Sequence, residues 1–162
     1  MVERALGRRT QQNEVSDSPK PRLLRGPLAR PWIWALGWII WLSVLWILSG
    51  GPPPVENDDV GIPHIDKILH AGYFFGGAGM LCAYLWLLQK KKSTFRSLMI
   101  LSLLILGGVG ISDEYHQSLN PERTGNSWAD FAADLVGSAL GAVVFWRSKD
   151  HAFGPALTAD EA

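Results

Sequence analysis

The sequence predicts an all-α fold, a four-helix transmembrane bundle with both termini cytoplasmic. Three observations predict it. Four apolar stretches of membrane-crossing length are separated by short polar or proline-rich connections. Eight tryptophans are many for 162 residues, and Trp favours the membrane–water interface. Lys and Arg collect on one set of connections, the bias that cytoplasmic loops carry. A formal net charge of zero excludes nothing, because the charge is segregated rather than absent. Cys82 is the only cysteine, so neither an intramolecular disulfide nor a thiolate metal framework is available. Its apolar surroundings in sequence suit a small buried side chain.

Residues 1–31 spread Arg4, Arg8, Arg9, Lys20, Arg22, Arg25 and Arg30 among Gln, Ser, Asn and Pro without apolar periodicity. This predicts a disordered basic tail. It lacks aromatic residues and runs straight into a membrane segment, so no nucleic-acid partner is expected. Trp32–Ser49 then holds 18 uncharged residues, about 27 Å of helix, close to the thickness of a bilayer core. Its length, its bulky Trp residues and the lack of a small-x-small cleavage site predict a retained helix rather than a signal peptide. Gly50-Gly51-Pro52-Pro53-Pro54 ends it. The 50–65 connection has Glu56, Asp58 and Asp59 but no Lys or Arg.

The second helix is expected over Asp66–Leu88, with Asp66 in the first turn, where a carboxylate suits the helix dipole. Ala71, Gly72, Gly76, Gly77, Ala78 and Gly79 make it rich in the small residues that let membrane helices approach closely. Lys90, Lys91, Lys92 and Arg96 flank a turn. The third helix is expected from about Ser97 to Leu119, with Asn120 and Pro121 as turn residues. The fourth runs from Ser127 or Trp128 to Trp146, carrying Asp130 and Asp134 near its start. The domain organisation is thus a tail at 1–31, a transmembrane domain at 32–146 and a polar tail at 147–162.

Sidedness follows from the charges. The N-terminal tail carries seven Lys/Arg, the turn at 89–96 four and the C-terminal tail two. The opposite connections carry Arg123, with Lys67 at a helix start. The positive side is expected to be the cytoplasm. The start of the second helix, the end of the third and the start of the fourth then share the outer face. Residues three, four or seven apart share a helix face. Asp66, His70, Tyr73 and Gly77 form one stripe; Gly107, Gly110, Glu114 and Gln117 a second; Asp130, Asp134, Gly137 and Gly141 a third. Each polar line continues a line of small or aromatic residues, so the polar groups should face the bundle interior. Ionisable residues at membrane depth are costly and mark functional sites.

Glu114, His70 and Asp130 are the candidate acid–base groups, a pairing that suits general acid–base catalysis at a membrane surface. Arg123 would grip a phosphate or carboxylate in bidentate fashion. Gln117, Asp66, His116, Asp113 and Asp134 would complete the binding wall. By helical phase, Glu114 and Gln117 point inward, while Asp113 and His116 lie on an adjacent face. The plainer reading is cohesion, in which buried polar groups tie helices together. Asp66 as a helix-start residue, Arg123 as a loop residue, Lys67 as a snorkelling residue and Tyr73 as a packing residue fit that reading. His64 and His151 read as solvated.

No metal and no cofactor are expected. Asp66 and His70 at i,i+4 suit one ion, but Glu114 and His116, two apart, point about 200° away from each other. Asp113 and His116 fit better, at the loss of Glu114. The Gly-rich 76–79 stretch lacks the Lys and Ser/Thr of a phosphate loop, and no Gly-x-Ser-x-Gly turn occurs. Two non-catalytic classes stand beside the enzyme: a recognition site for an envelope component or lipoglycopeptide, and an assembly site for another membrane protein. A transport path is disfavoured because the inner halves of the helices are apolar.

The ordered set Asp66-Lys67-x-x-His70, Ser112-Asp113-Glu114-x-x-Gln117, Pro121-x-Arg123, Asp130 and Gly137 resembles the VanZ-like family. The resemblance covers roughly residues 35–146. It implies a small bacterial multi-pass membrane protein, and the charge bias puts its polar site on the extracytoplasmic face. The founding member of the family is linked to resistance to teicoplanin, a glycopeptide that acts outside the cell on peptidoglycan precursors. The location of the site at the outer membrane surface suits membrane lipid and a lipid-linked envelope component or lipoglycopeptide as partners. The family often has Asn where this chain has Asp134, which makes this cluster more acidic.

Overall fold

The structure is a computed structural model describing residues 26–52, 63–123 and 125–154. Among the described residues, four helices follow a short 3-10 turn at Gly26–Ala29: α1 (Pro31–Gly50), α2 (Ile65–Leu88), α3 (Phe95–Ser118) and α4 (Trp128–Phe153). They are 20, 24, 24 and 26 residues long, each long and apolar enough to cross a membrane. No strand occurs among the described residues. The expected all-α architecture of four membrane-length helices is the one observed. The basic residues of 1–25, the acidic Glu56, Asp58 and Asp59, and residues 155–162 lie outside the described residues.

Local chemistry sets the helix ends. Pro31 occupies the first turn of α1, where its missing N–H is harmless. Thr94 caps α3 through a reciprocal box with Ser97, which starts the helix at Phe95 rather than at Ser97. The Ser127 side chain accepts from the Asp130 N–H and caps α4. α4 continues past Trp146 to Phe153, so residues 147–153, expected to open the polar tail, are helical. That last segment is packed. Phe153 is buried and meets Trp34 edge-on at 5.8 Å. Lys91 Nζ donates to the Phe153 carbonyl at 2.7 Å, satisfying a helix-end acceptor. Lys149 lies over the Trp146 ring at 4.2 Å and the Trp86 ring at 5.0 Å.

The most extensive packing is between α2 and α4. It depends on two glycines of α4: a Cβ on Gly137 would overlap the Ala71 carbonyl oxygen, and one on Gly141 the Phe75 carbonyl oxygen. On α2 the small residues divide. Gly77 is covered by the Trp41 ring of α1, whereas Gly72, Gly76 and Gly79 have nothing within 4 Å. The expectation that the whole 71–79 run serves close approach therefore holds only in part. α1 and α2 are locked by a reciprocal pair: Trp41 Nε1–H donates to the Tyr73 carbonyl at 3.1 Å, and the Tyr73 hydroxyl donates to the Trp41 carbonyl at 2.8 Å. Much of α1 faces outward, with Leu36, Ile39, Ile40, Val44 and Ile47 exposed.

Successive helices run in opposite directions, giving the bundle two unlike ends. One gathers Trp34, Trp86, Lys91, Trp146, Lys149 and Phe153. At the other end, Asn120 of the α3–α4 connection donates to the Gly50 carbonyl at 2.9 Å, and His70 of α2 meets Asp134 of α4. The ionisable candidates lie at this second end.

Candidate functional site

The site is built from the first turns of α2 and α4 and the last turns of α3. On α2, Lys67 reaches two carboxylates. Its Nζ lies 2.6 Å from Asp66 on its own helix and 2.5 Å from Asp130 of α4. Lys67 thus ties two helices together, a more specific role than the snorkelling expected of it. One turn on, the His70 side chain is 16% exposed and meets the fully buried Asp134, with 2.9 Å between Nδ1 and Oδ1. Facing a carboxylate oxygen, Nδ1 is the nitrogen placed to donate; in the neutral ring that arrangement puts the lone pair on Nε2. The second oxygen of Asp134 has no hydrogen-bond partner and lies over Gly110 of α3, where a Cβ would stand 2.9 Å from it. Gly110 therefore makes room for the Asp134 carboxylate.

On α3, both acidic residues are buried, Asp113 at 3% exposure and Glu114 at 5%. Each has one oxygen held by an N–H donor. Gln117 Nε2 donates to Asp113 Oδ2 at 2.7 Å, and the Ser127 backbone N–H donates to Glu114 Oε2 at 2.6 Å. Each has its other oxygen buried and unpartnered among the described residues. A nitrogen of His70 and carboxylate oxygens of Asp113 and Glu114 lie within 4.8 Å of one another. The placement of Asp113 on an adjacent face is thereby corrected. Neighbouring residues on a helix are about 100° apart, so two adjacent carboxylates can flank one inward direction. The alternative pairing of Asp113 with His116 fails, because His116 turns toward α1. Its ring stacks on Trp46 at 3.7 Å, and its Nδ1 lies 3.1 Å from Ser49 Oγ.

A cleft of about 100 Å³ opens at this end, lined by Asp66, His70, Tyr73, Asp113, Gln117 and Arg123 together with Leu45, Leu48 and Ser49 of α1. Arg123 Nε is buried there without a hydrogen-bond partner among the described residues. Sequence reasoning missed the fourth wall. Ser49 Oγ donates to the Asp113 carbonyl at 3.4 Å, fastening α1 to α3. The available signal was a hydroxyl in the last turn of an otherwise apolar helix. The backbone N–H of Ser127 was also missed, since a cap residue reveals its side-chain role and not the second group it serves.

Seven of the nine candidates, Asp66, His70, Asp113, Glu114, Gln117, Asp130 and Asp134, are joined by these contacts; Arg123 shares the cleft, and His116 stands apart against α1. Unsatisfied buried polar groups cost about 1–3 kcal/mol each. Buried oxygens of Asp66, Asp113, Glu114 and Asp134 have no hydrogen-bond partner among the described residues, which leaves each able to accept from a bound group. No family model, curated protein or solved structure matches the chain.

Proposed function

We propose that the chain is a VanZ-like integral membrane protein of the bacterial cell membrane that binds or modifies an anionic, lipid-linked component of the cell envelope at an extracytoplasmic site. One observation carries this reading. The polar cleft and an apolar groove between α1 and α3, about 410 Å³ in volume and lined by Leu42, Leu45, Trp46, Ile105 and Val109 among others, share Leu45 and Asp113. An amphiphile with its chain in the groove would bring its headgroup to Arg123, whose planar fork suits a phosphate or carboxylate. The family resemblance rests on the ordered motif alone, and any contribution to glycopeptide resistance would act through the bound component.

The reading is tested with the purified full chain in nanodiscs, given a polyprenyl phosphate or the uncharged polyprenol of equal length. Native mass spectrometry is expected to find one phosphate lipid retained per chain, at least tenfold tighter than the alcohol. Arg123→Ala should abolish that preference. Equal retention of the two lipids would overturn the proposal. Release of inorganic phosphate would favour the enzyme, with His70, Glu114 and Asp130 as its acid–base groups; retention without turnover would favour the binder.

A further inference from the structure

We propose that His70, Asp113 and Glu114 form a binding site for one divalent first-row metal ion of the Mn²⁺ or Zn²⁺ kind. Their ligand atoms lie within 4.8 Å of one another. Ligands bonded at about 2.0–2.2 Å to one tetrahedral ion stand roughly 3.3–3.6 Å apart, so side-chain movements of up to about 1 Å close the set. Proximity of acidic groups alone would not make a site, but three further observations point to a cation.

The first is the orphaned oxygens. Asp113 and Glu114 are 3% and 5% exposed, and Asp113 Oδ1 and Glu114 Oε1 have no donor. Their partner oxygens are pinned by Gln117 and the Ser127 N–H, which fixes both carboxylates. A buried carboxylate with one oxygen oriented and the other bare is how a metal ligand is presented. The second is the tautomer of His70. Its Nδ1 lies 2.9 Å from Asp134 Oδ1, so the neutral ring protonated on Nδ1 would offer its Nε2 lone pair for coordination. Metal-bound histidines usually give their other N–H to a carboxylate in this way, which fixes the ring and raises its basicity. The third is charge. Lys67 is taken up by Asp66 and Asp130, and neither Asp113 nor Glu114 has a Lys or Arg within ion-pair distance among the described residues. A divalent ion would neutralise that excess where water is scarce.

The donor set selects the ion. One imidazole with two carboxylates suits Mn²⁺ or Zn²⁺ better than Mg²⁺ or Ca²⁺, which prefer oxygen alone. Three protein ligands would leave a position open to water or to a substrate oxygen. The proposal goes beyond the phosphate-lipid reading and does not depend on it, because the ligand geometry involves no substrate.

The test uses the full chain without a histidine tag, purified in detergent, stripped with a chelator and dialysed against Mn²⁺ or Zn²⁺ in the absence of lipid phosphate. One equivalent of ion per chain is expected. Bound Mn²⁺ should show ¹⁴N hyperfine coupling from a single imidazole in pulsed electron paramagnetic resonance. Glu114→Gln and Asp113→Asn should each weaken binding at least 100-fold. Asp134→Asn should weaken it about 10–100-fold, as for other groups that orient a metal-bound histidine. His151→Ala, at the opposite end of the chain, should leave it unchanged. Wild-type protein that binds less than half an equivalent, or binds Mn²⁺ without nitrogen coupling, would overturn the proposal whatever the folding of the variants. Retention of a phosphate lipid by metal-free protein would separate this failure from failure of the lipid reading.

Discussion

Single atoms decide how tightly this bundle closes. A Cβ at Gly137 would meet the Ala71 carbonyl oxygen, which is backbone and cannot rotate away. Gly137→Ala is therefore expected to force α2 and α4 apart and lower stability by about 1–3 kcal/mol, the usual range for overpacking. Gly76→Ala, where nothing lies within 4 Å, should change stability by less than about 0.5 kcal/mol. Reversible unfolding in mixed detergent–SDS micelles reads both, and equal effects would refute the assignment of the contact to Gly137. The same contrast marks the limit of sequence reading at this scale. Small residues on one face announced close packing, but Gly72, Gly76, Gly77 and Gly79 look alike in sequence. Which one is covered depends on where Trp41 of another helix lands. Asp113 was misjudged for a related reason. Helical phase gives the direction of a Cα–Cβ bond, whereas a carboxylate's position also depends on its rotamer and on the Gln117 amide that holds it.

At the level of elements, apolar length and small-residue stripes made all four helices legible, with starts within two residues of those observed. The end of α4 was not legible. Arg147, Lys149 and Asp150 look like a solvated tail, and only the partners of that segment explain why it stays helical. Lys149 lies against Trp86 and Trp146, and Lys91 meets the final carbonyls. Phe153 is held by Trp34 and Phe145, with ring centroids 5.8 and 6.2 Å away. Phe153→Ala should thus cost about 1–3 kcal/mol. That is below the roughly 3–5 kcal/mol seen in water-soluble cores, because lipid chains are as apolar as the pocket it leaves. Arg147→Ala, exposed in the same C-terminal segment, should move stability by less than about 0.5 kcal/mol. The same SDS titration measures both, and a Phe153 effect no larger than that of Arg147 would return the segment to the status of a tail.

For the molecule as a whole, the antiparallel order of four helices puts the N-terminus of α1 and the C-terminus of α4 at one end and the ionisable cluster at the other. Convergence of the candidates was readable because even a rough helix count fixes which helix ends meet. The part played by α1 was harder to read, since a lone hydroxyl in its last turn does not name its partner until Ser49 is seen against Asp113. Which end faces the cytoplasm rests on charge: Lys90, Lys91, Lys92 and Arg96 lie in the α2–α3 turn, and Arg123 is the sole Lys or Arg between α3 and α4. Because positively charged connections stay in the cytoplasm, the ionisable cluster should lie outside. Cys82 is buried and should be silent to thiol reagents. A cysteine at the exposed Glu122 should react with a membrane-impermeant maleimide in intact cells. One at the exposed Lys92 should react only after permeabilisation. The reverse pattern would place the cleft in the cytoplasm. An extracytoplasmic envelope ligand would then be out of reach, while the metal site, which depends on the bundle and not on its sidedness, would stand.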